Sequence, residues 1–284
     1  MDQQLSVVIP AFNAADTIGD TLGALATQLR DHDAAEILVS DNGSTDGTVA
    51  AAERWGGDLP IRIIDASRRR GQAAAMNIAA QEARGDMLVF TDADDIPLDG
   101  WMDAWLGLDP GVDFASGPVV WFAAKGNTPP APEVVPHRLP THMGSPYALG
   151  TNLAVRRSVL AEHGWLDETI PPAQDVELSF RLLSRGVDLT FVRGAVLGKR
   201  EREGMWPVLR QYFAYGLCDP ELYRRYGGTL LSRPPRIQTA RSYAGLVLRL
   251  PFLTDEVERK RWAHQAGRRA GRVVGSVRSR TLYL

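Results

Sequence analysis

The chain has 284 residues, 44% hydrophobic and 23% charged, with a formal net charge of −2, the composition of an ordinary globular protein with room for one large domain or a domain with an appendage. The near-neutral balance gives no global case for a nucleic-acid binder, and with Cys218 as the only cysteine there is no disulfide framework and no Cys-based zinc site. No stretch approaches the ~18 apolar residues of a membrane span. The best candidate, Tyr243 to Leu253, is broken by Arg249 and Pro251, and Met1-Asp2-Gln3-Gln4 is no signal peptide, so a cytoplasmic location is the expectation.

In chain order, Leu5–Pro10 is a β-branched apolar run, followed by an amphipathic stretch from about Ala15 to Leu29. Ile37–Ser40 is the next strand, Thr45–Trp55 a helix, Ile61–Asp65 a third strand, Gln72–Ala83 an Ala-rich helix and Met87–Thr91 a fourth strand. Such alternation with short connections predicts an α/β architecture around a mostly parallel sheet, whose ligands bind beyond the carboxyl ends of the strands. Phe114–Phe122 reads as a further strand and the proline-dense Asn127–Pro146 as a long loop of the lid or binding type. Arg157–His163, Val176–Arg185 and Trp206–Tyr215 have helical spacing, and the segment from Arg259 to Leu284 carries basic residues and no acid.

Three polar groups fall at strand ends: Pro10-Ala11-Phe12-Asn13, Asp41-Asn42-Gly43, and Asp92-Ala93-Asp94-Asp95. In extended chain Asp92 and Asp94 point to the same side, roughly 6–7 Å apart. Two carboxylates so placed repel unless a cation or hydrogen-bond donors sit between them, and a hard divalent cation such as Mg²⁺ or Mn²⁺ suits oxygen ligands. An Asp-rich turn ahead of Pro97 and Gly100 is the plain alternative. Asp41–Thr48 reads either as turn-and-cap chemistry or as a strand tip at which Asp41 accepts hydrogen bonds from a base or ribose. Arg68-Arg69-Arg70-Gly71, ahead of the helix containing Asn77, is either a solvated basic loop or a diphosphate site at a helix N-terminus. Gln174-Asp175-Val176-Glu177-Leu178 opens a helix, and Asp175 there is either a dipole-favoured cap residue or a carboxylate base.

The order of these segments is specific. The chain resembles the family 2 glycosyltransferases, inverting enzymes of the GT-A fold that use nucleotide-sugar donors. The matching segments are Val8 to Asn13, Asp41–Thr48, Arg70-Gly71 through Asn77, Gly85-Asp86, Asp92-Ala93-Asp94, Gly150-Thr151-Asn152 and Gln174 to Leu178, over about residues 5–225. The resemblance implies a nucleotide-diphospho-sugar transferase fold over 1–225, with a nucleotide-sugar half to about residue 95, an acceptor half from about 96, and a basic helical extension over 226–284. It places Pro10, Ala11, Asn13, Asp41, Arg70, Gly71, Asn77, Asp92 and Ala93 against the donor, and Gly150, Thr151 and Asn152 on the acceptor side. Asp94, with Asp92 beside it, would hold Mn²⁺ or Mg²⁺, and Asp175 would be the general base for attack by an acceptor hydroxyl. UDP-sugars are the expected donors, and polysaccharide or other glycan synthesis the expected setting. Asp95 receives no role.

Two departures stand out. Gln174 replaces the Glu that often precedes the catalytic Asp, and Val196 to Arg200 lacks the His that many members carry after the last core strand. No histidine ligand is therefore assigned, and Lys199 or Arg200 is expected to help neutralise the diphosphate. A nucleotidyltransferase would need a Gly-rich basic loop after the first strand, which Pro10-Ala11-Phe12-Asn13 does not supply. A catalytically silent nucleotide-binding or assembly protein is opposed by the joint presence of Asp92, Asp94 and Asp175. The basic segment 259–284 has two readings: a helix packed on the domain, or one lying on an anionic membrane surface as a peripheral contact.

Overall fold

The computed structural model describes residues 4–29, 35–122 and 135–284. Residues 127–134 of the expected proline-rich loop, and His32, lie outside the described residues. Two compact units are present: residues 1–140, 146–169 and 174–201 form the first, and 141–145, 170–173 and 202–284 the second.

The elements of the first unit begin with β1 (Leu5–Ala11), α1 (Ile18–Leu29), β2 (Ala35–Asp41), α2 (Thr48–Glu53), β3 (Ile61–Asp65), α3 (Gln72–Glu82), β4 (Met87–Phe90), β5 (Ile96–Pro97), α4 (Trp101–Leu106), β6 (Phe114–Ser116) and β7 (Val119–Phe122). After the β8 (Thr141–His142) and β9 (Ser145–Pro146) ribbon come β10 (Leu153–Arg156), α5 (Arg157–His163), α6 (Gln174–Ser184), β11 (Thr190–Phe191) and β12 (Leu197–Arg200). The main sheet has the order β11-β6-β10-β4-β1-β2-β3. Its β3-β2-β1-β4 half is parallel, and β10 enters antiparallel between β4 and β6. Strands covered on both faces read as continuous apolar runs, and β1, β2 and β4 are buried along nearly their whole length. The buried alanines of α3 (Ala73, Ala74, Ala75, Ala79 and Ala80) let that helix lie close on the sheet.

The expected single strand Phe114–Phe122 is two. Gly117-Pro118 interrupts it, because proline cannot donate to a ladder. Phe114–Ser116 stays in the main sheet, whereas Val119–Phe122 joins a second sheet of order β5-β12-β7. In that sheet Gly198 of β12 lies opposite Ile96 of β5, antiparallel. This pairing carries Lys199 back alongside the end of the acidic cluster.

The second unit is built on α7 (Met205–Tyr226), α8 (Arg236–Leu248) and α9 (Glu256–Arg278). The boundary expected near residue 225 therefore moves to Glu201–Arg202, since α7 packs along α9. Ala263, Gly267, Gly271 and Gly275 recur every four residues on one buried face of α9. A Cβ at Gly267, Gly271 or Gly275 would run into the backbone of α7 at Leu209, Phe213 and Leu217, so the absent side chains set the approach of the two helices. Beside this seam Asp219, 1% exposed, receives Arg268 at 3.0 Å, Arg272 at 2.7 Å and His142 at 2.9 Å. Burial works to raise the Asp219 carboxyl, but the His142 hydrogen bond and the Arg268 charge outweigh it and hold the carboxyl far below the usual carboxylate range. Among the described residues no helix is long and apolar enough to cross a membrane.

Candidate active site

The carboxyl ends of β1, β2 and β4 converge as the strand reading expects, and their loops lock one another. The Asn13 side chain accepts the Thr45 N–H at 2.8 Å, while its own N–H donates to Ser44 Oγ at 2.9 Å, which accounts for its left-handed φ of 49°. Asp41 accepts the N–H groups of Gly43 and Ser44 at 3.2 Å. Pro10 is half-buried and Ala11 buried at the end of β1. Asn42, which sequence reasoning did not single out, ties the basic loop down: its Nδ2 donates to Ala66 O and Arg69 O, and its Oδ1 accepts the Gly71 N–H at 2.7 Å. Arg70 is exposed, and Gly71, with φ of 120°, opens α3.

Two assigned residues do not reach this edge. Asn77 is 3% exposed, and its amide is spent on Leu166 N–H, Leu166 O and Glu168 Oε1, so it fastens α3 to the 166–168 segment instead of meeting a donor. Asn152 is fully buried; it donates to Pro118 O and Ala195 O and accepts the Trp101 indole N–H at 2.8 Å. Both amide hydrogens and the carbonyl oxygen of this buried side chain are thus engaged within the framework.

The acidic cluster is richer than its sequence suggests. Carboxylate oxygens of Asp92, Asp94 and Asp95 all lie within 4.8 Å of one another. Asp94 is exposed, Asp92 half-buried, Ala93 buried and Asp95 fully buried. Asp95, given no role above, accepts the Thr151 hydroxyl and the Lys199 ammonium, the latter at 2.9 Å. Lys199 also donates to Asp92 at 2.9 Å, so in this structure its charge is committed to two carboxylates. Burial, reinforced by the Asp92 and Asp94 charges, outweighs Lys199 and Thr151 and pushes the Asp95 carboxyl up to about 7. Lys199 itself is raised: burial pulls it down, but the charges of Asp92 and Asp95 prevail. Arg200 pairs with Asp20 at 3.0 Å and lies over the Phe122 ring.

Asp95 Oδ1 is buried with no hydrogen-bond partner. A buried carboxylate oxygen left orphaned beside two further carboxylates fits the hard-oxygen donor set of a divalent cation, with Asp92, Asp94 and Asp95 as its holders.

Asp175 stands in the first turn of α6. Its two oxygens accept the N–H groups of Gly150 and Val176, each at 2.8 Å. A Cβ at Gly150 would lie 3.0 Å from the Asp175 carboxylate, so any larger residue there would have to push that carboxylate aside. Burial pushes the Asp175 carboxyl above the ordinary aspartate range, with the Asp92 charge acting in the same direction against those N–H groups. The neighbouring Gln174 amide donates to Gln72 Oε1 at 3.2 Å, and Gln72 donates to Asp92 Oδ1 at 2.7 Å. Three side chains thus connect the start of α6 with the acidic cluster.

The family profile described as "Glycosyl transferase family 2" matches residues 6–123. Glycosyltransferase AglE of Haloferax volcanii is 29% identical over 222 residues, covering 75% of this chain and 71% of AglE. The pre-mycofactocin glycosyltransferase of Mycobacterium tuberculosis is 28% identical over 233 residues; these cover 77% of this chain but only 47% of that protein, about half its length. Among solved structures, the mannosyltransferase PcManGT from Pyrobaculum calidifontis in complex with GDP-Man and Mn²⁺ has a TM-score of 0.65 at 20% identity, covering 97% of this chain and 87% of its own. Glucosyl-3-phosphoglycerate synthase from Mycobacterium tuberculosis, in complex with Mn²⁺, UDP and phosphoglyceric acid, has a TM-score of 0.54 at 20% identity, with 79% of each chain covered. At such identities the structural likeness is one of fold. Profile, relatives and acidic cluster agree: residues 6–123 are similar to glycosyl transferase family 2, and the fold is the GT-A fold of these glycosyltransferases.

Proposed function

We propose that this chain is an inverting glycosyltransferase of glycan biosynthesis that moves a sugar from a nucleotide diphosphate-sugar, a UDP-sugar first among the candidates, to an acceptor hydroxyl. The observation that carries the reading is Asp175: a raised carboxylate, aimed by the Gly150 N–H at 2.8 Å and linked through Gln174 and Gln72 to Asp92. A carboxyl raised above its ordinary value is the better proton acceptor, which suits a general base.

In this reading Asp175 takes the proton of the acceptor hydroxyl as its oxygen bonds to the anomeric carbon. The bond from that carbon to the diphosphate oxygen breaks on the opposite face, and its electron pair leaves with the nucleotide. One displacement inverts the centre. Asp41, at the end of β2, would face the base, and the exposed Arg70 and the start of α3 the diphosphate. Gly150 and Thr151 act by holding Asp175 and Asp95. A divalent cation held by Asp92, Asp94 and Asp95 would offset charge growing on the leaving diphosphate. The donor class is supported by fold neighbours in complex with UDP, with UDP-GlcNAc (TarS of S. aureus) and with GDP-Man.

The test is transfer by wild type and Asp175→Asn, with donors first ranked by thermal shift against UDP- and GDP-sugars in Mn²⁺ or Mg²⁺. Loss of a general base should lower the transfer rate by about 10²–10⁴-fold with donor binding intact. Full activity in Asp175→Asn, or a product that retains the donor's anomeric configuration by NMR, would overturn the mechanism.

A further inference from the structure

Within the second unit, the end of α8 and the 3₁₀ turn that follows it carry an apolar surface that this unit leaves uncovered. Val247, Leu248, Leu250 and Phe252 are 66%, 71%, 50% and 69% exposed. With Arg249 and Pro251 between them, the whole run 247–252 faces outward. The exposure continues along α8: Ile237, Arg241, Ala244 and Leu248, at i, i+4, i+7 and i+11, form one exposed stripe, and none of residues 237–248 is buried. Scattered exposed aliphatics are ordinary, whereas four large ones within six residues form a patch of the kind that marks an interaction site.

Its charge selects the partner. Between Glu221 and Asp255 the chain has six arginines and no acid. Arg224 and Arg225 are paired with Glu221, and Arg233 lies over Tyr223. Arg241 and Arg249, within the apolar stripe and run, have no ion-pair partner among the described residues. The acids beyond, Asp255, Glu256 and Glu258, are occupied in capping α9 and in pairing with Lys260 and Arg261. A second copy of this chain, meeting the patch about a two-fold axis, would set this arginine-bearing, acid-free surface against itself and offer Arg241 and Arg249 no opposite charge. An anionic bilayer offers what the patch lacks: acyl chains for Leu248, Leu250 and Phe252, and phosphates for the arginines.

We infer that residues 237–252 are a docking surface for an anionic lipid bilayer. This displaces the lipid contact from the basic segment 259–284, whose Arg268 and Arg272 are committed to Asp219 and whose glycine face lies on α7. The inference is independent of the reaction proposed above.

The experiment is co-sedimentation of the full chain with vesicles of phosphatidylcholine alone and of phosphatidylcholine with an equal part of phosphatidylglycerol. Wild type should pellet with the anionic vesicles at least about tenfold more than with neutral ones, and less at high salt. Leu248→Asp/Phe252→Asp and, separately, Arg241→Glu/Arg249→Glu should each lose about tenfold or more, with unchanged circular dichroism. Val277→Asp, an equally exposed position on α9, should bind like wild type. Equal partition into both vesicle types, no sedimentation, or full binding by the double variants would overturn the inference. Loss in Val277→Asp alone would return the contact to α9. A wild-type dimer that Leu248→Asp/Phe252→Asp dissolves, with no vesicle binding, would assign the patch to a second copy.

Discussion

Lys199→Met keeps most of the side chain's volume and removes the charge that the structure places between Asp92 and Asp95. At 2.9 Å each pair has a Coulomb attraction of about 6 kcal/mol for an effective dielectric of about 20, before desolvation is counted. Desolvation cancels much of this, and removing one partner of a buried pair costs about 3–5 kcal/mol, because the remaining charge is left uncompensated. Asp95 has a way out: it is raised to about 7 even with Lys199 present, and higher still without it. A carboxyl raised on folding supports the folded state fully below its unfolded value, about 3.9, and loses that support as pH rises through its folded value. The variant's deficit should therefore be smallest near pH 5–6, where Asp95 is protonated in both proteins, and approach about 3–5 kcal/mol at pH 8. Urea unfolding at pH 6 and pH 8 measures it. Adding Mn²⁺ without donor should stabilise the variant more than wild type, since the cation then has no ammonium to compete with. Equal urea midpoints for the two proteins at both pH values, or equal stabilisation by Mn²⁺, would refute the reasoning.

Gly150→Ala puts a Cβ 3.0 Å from the Asp175 carboxylate, and should lower transfer at least about tenfold in kcat with little change in donor affinity, measured by steady-state kinetics and donor titration. Asn152→Leu strands the Trp101 indole N–H and the carbonyls of Pro118 and Ala195; a loss of about 3 kcal/mol or more is expected in chemical denaturation. Asp219, whose folded carboxyl is depressed, contributes stability above its unfolded value near 3.9 that is lost as pH falls further. Asp219→Asn should thus be less stable at neutral pH and show a flatter acid-unfolding profile below about pH 4. An acid transition as steep as wild type's would remove Asp219 as its source.

The parallel half of the main sheet was legible because its signal is local. Uninterrupted apolar runs such as Val7-Val8-Ile9 and Leu88-Val89-Phe90 are what strands covered on both faces require. The break at Gly117-Pro118 is local as well, but the apolar residues on either side of it carry one continuous strand signal that masks it. Motif order also located the candidate site, but it did not separate residues at the cleft from those behind it. Asn77 and Asn152 belong to motif segments, and both turn out to be buried amides that hold the framework. An asparagine placed to meet a ligand and one placed to satisfy two backbone groups and a side chain look alike in sequence.

By itself the sequence determined the α/β order of elements, the acidic cluster after β4 and the position of Asp175 at a helix start. Each depends on neighbours within a few residues: hydrophobic period, breakers and caps. Only the tertiary structure decided what those carboxylates meet. Lys199 is 104 residues from Asp95 in sequence, and the antiparallel register of β12 on β5 brings them together. The same register buries Asp95 and gives it a part that its place in an Asp-rich turn did not reveal. Burial and pairing across such separations arise from strand order and packing, which set the charge state of a side chain and leave no local trace.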